Sequence, residues 1–376
     1  MISKYKSSNC TEYYITIEPT TMSLFFEEQF ESLLSNYENC CQAAGIDKTS
    51  NIYIKIYLSD ITNQFDLVKN YFDDKGIMYF IVGQAPASGL KVAIEAYHIL
   101  PNEGQLQKDY NNNKLSFKHN HFVTHIGELI AKDTKIYSNS YNQTSEIFNC
   151  FMSELSKYHC TLLDNVERVW FYIRDIDNNY QGLVDARNNC FDENGLTSET
   201  HYIASTGIEG AYCIGSNLVL MNYKFTENLL PEQFHYMSAV DSLCPTHMYN
   251  VAFERGTKII YGDCSHYYIS GTASIDAMGN ILYENNVLKQ TERAINNIDD
   301  LLKASNASLK DLKLMLIYLR DFSDYNNVNR YIKENFGESI PYLILKAPVC
   351  RPGWLIEIEG IAINHYSNCK FPNFYQ

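Results

Sequence analysis

Apolar positions along the chain recur with two periods, and the switches between them lay out a fold. Alternating runs near 12–18, 51–58, 78–84 and 90–98 predict strands, and stretches near 24–44 and 62–74 carry the 3.6-residue spacing of amphipathic helices. The order then returns twice. Strands are predicted near 120–137, 166–174, 200–206 and 213–224, then near 250–260, 264–275, 312–320, 341–348 and 354–365, with helices near 287–305 and 324–336 in the last set.

The recurrence extends to residues. Positions 38–72 lie over 299–333 without a gap, and both run from the end of a helix into a strand ending Tyr-Leu-x-Asp and on into a second helix. A third copy lies between them: QTSEIFNCFMSEL (143–155) matches QTERAINNIDDLL (290–302), and VERVWFYIRD (166–175) matches KLMLIYLRD (313–321). Phe191 closes the second helix of the middle copy as Phe336 does in the last. A unit of strand, helix, strand, helix, strand, strand predicts an α+β fold, with mixed sheets carrying helices on one face. The expected modules are 1–110, 118–235 and 245–376, and the Asn- and Gly-rich segments Asn102 to Lys118 and Asn194 to Thr200 read as linkers.

One stretch breaks the pattern. PYLILKAPVCRPGWLIEIEGIAI (341–363) reads as strand, turn, strand, and its second strand places Glu357 and Glu359 on one face and Ile356 and Ile358 on the other. Two acids on one face of an apolar strand are costly to bury without partners. Comparison of the copies separates them. Glu359 falls opposite Glu95 and reads as structural, whereas Glu357 falls opposite Ala93 and reads as functional; the middle copy, SNLVLMNYKF (216–225), has neither acid.

Composition narrows the partners. A formal charge of −14 argues against nucleic acid or an anionic membrane, and no run approaches the length of a membrane span. The first twenty residues lack signal-peptide order, so a cytoplasmic protein is expected. The 11 cysteines and 10 histidines show no metal-ligand spacing, and the cysteines are expected as reduced thiols. All eight arginines lie after position 167, which suits guanidinium groups placed to meet carboxylates. Cys350 has no neighbouring His to activate it and reads as a pocket wall or core residue.

YYISGTASIDAMGNILYE (267–284), AINNIDDLLKAS, IYLRDFSDYNNV and LIEIEGIAI resemble the Rid family of enamine and imine deaminases. The longer combination of ERVWFYIRD (167–175), ASTGIEGA (204–211), ISGTASID (269–276) and APVCRPGW (347–354) resembles the chorismatases, single chains built from Rid-like units. That resemblance implies a pseudo-trimeric arrangement in one chain, with a cleft between the second and third modules. It implies removal of the enolpyruvyl group of chorismate as pyruvate, leaving a hydroxybenzoate (3-hydroxybenzoate favoured) or a dihydroxy diene acid. It makes Glu357 the catalytic acid, and it makes Arg168, Arg320, Arg330, Arg351, Ser270, Gly271, Thr206, Gly207 and Cys350 the substrate-binding candidates. No metal or organic cofactor is implied, and three modules in one chain favour a monomer, with a homo-oligomer open. The carboxylate-binding Arg of the smaller deaminases falls at about Leu343, which is not basic. A non-catalytic sensor on the same cleft and an imine deaminase remain as alternatives.

Overall fold

Each repeat forms its own sheet in the computed structural model, which describes residues 1–111 and 113–376; Asn112, within the first expected linker, lies outside the described residues. The first unit contains β1 (Ile2–Lys6), β2 (Cys10–Ile17), α1 (Phe26–Ala44), β3 (Asn51–Leu58), α2 (Ile61–Asp73), β4 (Tyr79–Gly83), β5 (Ala85–Pro86) and β6 (Val92–Pro101). The second contains β7 (Gln107–Asn111), β8 (Lys114–His119), β9 (Phe122–Ile130), α3 (Ser140–Ser156), α4 (Leu162–Asn165), β10 (Val166–Ile173), α5 (Ile176–Glu193), β11 (Ser205–Glu209) and β12 (Val219–Glu227). The third contains β13 (Phe234–Tyr236), β14 (Gly256–Ile260), β15 (Ser265–Ala273), α6 (Val287–Ala304), β16 (Leu312–Leu319), α7 (Tyr325–Phe336), β17 (Tyr342–Lys346) and β18 (Ile356–Asn364).

The sheets share a four-strand centre: β2-β6-β3-β4, β9-β12-β10-β11 and β15-β18-β16-β17. In each, one pair is parallel (β3–β4, β10–β11, β16–β17), which demands a crossover, and a helix supplies it. The predicted unit order therefore holds three times. Of the strands added outside it, β1, β7 and β8 are rich in polar residues. Asn102 to Lys118, expected as a linker, contains the hairpin β7–β8 at the edge of the second sheet, so the first expected boundary at 110 falls inside β7. Its sequence, QKDYN paired with KLSFKH, carries too few apolar positions to register as strand.

The helix-facing sides supply the core. Ile356 and Ile358 of β18 pack with Ala294, Ile295 and Ile298 of α6, whose apolar residues recur at helical spacing through Leu301 and Leu302. Asn286 caps α6 by accepting the Lys289 N–H at 3.0 Å. The other sheet faces turn inward toward one another, and here the repeats show as side chains. Tyr57, Tyr172 and Tyr318 occupy one register position in the three sheets, opposite Ala93, Leu220 and Glu357, and all three are buried.

Three strand-edge contacts close the modules into a ring. The Gly83 N–H donates to Ala211 O at 2.8 Å, joining first to second, and Gly83 packs so closely on Ile61 that a side chain would collide there. The Glu209 N–H donates to Pro348 O at 3.2 Å, joining second to third. Two residues of the first module, Ala85 and Pro86, form β5 and extend the third sheet by pairing with Lys346 and Leu345. Among the described residues, no helix is long and apolar enough to cross a membrane.

Candidate active site

At the junction of the second and third modules lies a narrow cleft lined by residues of both. Its floor is the inward face of the third sheet, and its far wall is α5 and β11 of the second. The residues that matter chemically are Glu357, Arg187, Arg255, Arg351, Tyr180 and Tyr249.

Glu357 sits on β18 between Tyr318 and Ala273 of the neighbouring strands, and it is 6% exposed. Burial raises its pKa to about 8, the neighbouring Glu359 adds to the rise, and Arg255 and Arg168 oppose it. A carboxyl in this setting keeps its proton at neutral pH. The pairing of β15 with β18 shifts register between Ile269 and Thr272, which frees Ser270 and Gly271 from the ladder. Gly271 then lies directly on the acid: a methyl group there would overlap Glu357 Oε1.

Glu359 has a different fate. It is ion-paired to Arg168 (Nη2 to Oε2, 2.9 Å) and receives hydrogen bonds from Trp170 Nε1 at 3.0 Å and from the Thr206 hydroxyl. Its strand-mate at the same register in the first module, Glu95, lies 3.5 Å from Lys55. Both are buried acids neutralised by a neighbouring cation, the arrangement a structural role requires.

The three guanidinium groups at the cleft lack such partners. Arg187, 1% exposed, lies over the Phe253 ring and donates to Ser205 Oγ at 3.4 Å, and its Nε and Nη2 have no hydrogen-bond partner among the described residues. Arg255 donates to Cys244 O at 2.7 Å and to Tyr249 OH at 2.8 Å. Arg351 lies over the rings of Tyr249 and Trp354, 4.7 and 4.8 Å from their centroids. None of the three is ion-paired to a carboxylate among the described residues, in contrast to Arg168 and Arg320. Buried cations without counterions are costly, so this arrangement is suited to an anionic ligand.

The structure brings Glu357, Arg351, Gly271, Thr206, Gly207 and Cys350 together at one cleft. It does not bring the other expected ligands there. Arg168 and Ser270 lie behind the cleft, hydrogen-bonded to each other at 3.3 Å, with Arg168 committed to Glu359. Arg320 is held by both oxygens of Asp177, at 3.0 and 3.1 Å, and Arg330 points to solvent from α7. Arg187 and Arg255 line the cleft instead. Arg187 carried a legible signal: it falls four residues after Leu183 and four before Phe191, on the buried stripe of α5. Arg255 precedes β14 in a loop and carried none. The Cys350 thiol is pushed up to about 12 by burial and by Glu357, which leaves it protonated and unfit as a nucleophile. Leu343, the position aligned with the deaminase Arg, is buried on β17 at a different junction, between the third and first modules.

Among the described residues no group of three or more His, Cys, Asp or Glu is placed to hold a metal ion. The family described as endoribonuclease L-PSP matches residues 260–364. A RutC family protein of Pyrococcus abyssi is 33% identical over 25% of this chain and 76% of its own length. The 3-aminoacrylate deaminase RutC of Acinetobacter baylyi is 30% identical over the same shares. Across nearly the whole chain the fold is that of a crystal structure of chorismatase, with a TM-score of 0.67, 15% identity, and coverage of 94% of this chain and 99% of that one. With a sequence relationship of this strength in its third module and three modules of the same plan, the chain belongs to the RutC, or Rid, family.

Proposed function

We propose that this protein is a chorismatase-type enzyme that releases the enolpyruvyl group of chorismate as pyruvate. One observation carries the reading: three guanidinium groups without carboxylate partners among the described residues share one cleft with a single buried carboxyl, Glu357. Chorismate has two carboxylates and an acid-labile enol ether, which matches that set in charge and in chemistry.

Arg187, Arg255 and Arg351 hold the carboxylates, with Arg187 offering its free Nε and Nη2. Glu357 delivers its proton to the methylene carbon of the enol ether, and the ether carbon takes on oxocarbenium character. Water adds to that carbon, and the resulting hemiketal collapses to pyruvate and a dihydroxy diene acid. When the C4 hydroxyl of the ring adds to that carbon in place of water, loss of the C3 hydrogen with cleavage of the C4–O bond aromatises the ring, and collapse of the resulting hemiketal releases 3-hydroxybenzoate and pyruvate, whose keto oxygen is the former C4 oxygen. The enclosed, aromatic wall of Tyr180, Phe253 and Trp354 limits water and favours the aromatic product, 3-hydroxybenzoate in our reading.

Incubation with chorismate, a coupled pyruvate assay and chromatography of the ring product test the proposal. Pyruvate release that Glu357→Gln abolishes in a folded protein is the expected result. Tight binding of chorismate without turnover would make the protein a sensor. The kinship with 3-aminoacrylate deaminase favours one further reading, imine deamination, which ammonia release from an imino acid would reveal.

A further inference from the structure

The hydroxyl of Thr206 has one proton to give and two lone pairs to receive with, and the structure uses all three. It donates to Glu359 Oε2, accepts from Arg168 Nη2, and accepts the Gly271 N–H at 2.9 Å. No capacity is left for a substrate, although the residue borders the cleft. What the hydroxyl does is tie the one backbone segment that lies on Glu357 to a buried ion pair that spans the second and third modules. Ser270 braces the same segment from behind: its Oγ donates to Glu254 O at 2.6 Å and accepts the Ser205 N–H at 3.0 Å.

We infer that Thr206 is a positioning residue: with Arg168 and Glu359 it pins the Gly271 backbone against Glu357 and so holds the acid dry and aimed at the substrate. This deepens the function proposed above and rests on it only for the substrate used in the assay. Without the hydroxyl, Gly271 loses the partner of its amide, the bulged segment lifts, and water reaches the carboxyl. The groups that face Glu357 from every side are Glu359 on its own strand, Tyr318 on β16, Arg168 on β10, Tyr180 and Arg187 on α5, Arg255 before β14, and Cys350 and Arg351 in the turn before β18. Changing Thr206 replaces none of these side chains, and it removes one hydrogen bond each from Glu359 and Arg168, which keep their own ion pair at 2.9 Å.

The test compares Thr206→Val, which keeps the shape and removes the hydroxyl, with Thr206→Ser, which keeps the hydroxyl. Two readouts are taken: steady-state turnover of chorismate, and the titration midpoint of Glu357, observed by carbon NMR of glutamate-labelled protein as the signal absent from Glu357→Gln. The expected result for Thr206→Val is a fall in kcat of about a hundredfold with KM held, since displacement by about 1 Å has that effect. Its Glu357 midpoint drops toward the ordinary carboxylate range as water enters, and Thr206→Ser restores both. A rise in KM with kcat held would make Thr206 a substrate ligand and overturn the inference. So would a Thr206→Val protein with unchanged kcat and midpoint, or a Ser variant no better than Val. If Thr206→Val does not fold, Thr206→Ala, which also removes the hydroxyl but adds no bulk, takes its place with the same two readouts and the same overturning outcomes. If the native protein releases no pyruvate, the functional proposal fails while the midpoint still decides the role of Thr206.

Discussion

Glu357 and Arg187 are each placed at an energetic cost, and each cost is measurable. Glu357 titrates near 8 when folded and near its ordinary value of 4.5 when unfolded, so the folded state holds a proton that the unfolded state releases. The stability it contributes is complete below about pH 4.5 and is lost as pH rises through 8. Glu357→Gln should therefore be inactive yet more stable than the native protein at alkaline pH, by about 3–5 kcal/mol, as read by chemical denaturation at pH 6 and pH 9. Activity follows the same group: kcat/KM for chorismate should fall above about pH 8, where the acid loses its proton. Arg187 is a buried cation without a counterion, and removing such a charge relieves desolvation. Arg187→Met is expected to raise the melting temperature while raising KM for chorismate roughly a hundredfold. A variant that loses both stability and binding would show that Arg187 is part of the scaffold.

At the level of elements, helices and inner strands were legible because their apolar periods are long and regular; α6 and β16 begin within a residue of their expected positions. The edge strands β1, β7, β8 and β13 were not, since a strand with one wet face and few apolar residues has no period to detect. Of the site, Glu357 was legible because its counterparts in the other copies are apolar, and Gly271 through its resemblance to a family. The arginines were harder, because a guanidinium looks the same in sequence whether it meets a ligand, as Arg187 is placed to do, or a surface acid, as Arg320 does with Asp177. Close helix packing also has a sequence cause. A methyl group on Gly182 of α5 would strike Ser140 of α3 and lie 2.8 Å from the Tyr141 N. Gly182→Ala should lower stability by about 1–3 kcal/mol without touching the cleft, with KM unchanged in the folded fraction.

Over the whole molecule, three sheets enclose a buried polar interior tied across modules: Arg168 of the second pairs with Glu359 of the third, and Lys224 of the second donates to Tyr268 OH of the third at 2.7 Å. Such pairs resist separation of the modules. We expect a monomer of 43.4 kDa in sedimentation, since the ring that separate Rid subunits would need three chains to complete is closed here within one. His98 and His119 are fully buried, and burial lowers both to about 3. Their contribution to stability is present above about pH 6.5 and is lost as pH falls toward 3, so a thermal melt series should decline on acidification in that window.

The two-residue strand β5 has a consequence for anyone dissecting the chain. By donating Ala85 and Pro86 to a neighbour's border, the N-terminal third shields hydrogen-bonding groups that an isolated C-terminal third would leave bare. Cut free, that fragment would present Leu345 and Lys346 as an unsatisfied seam, open to self-association.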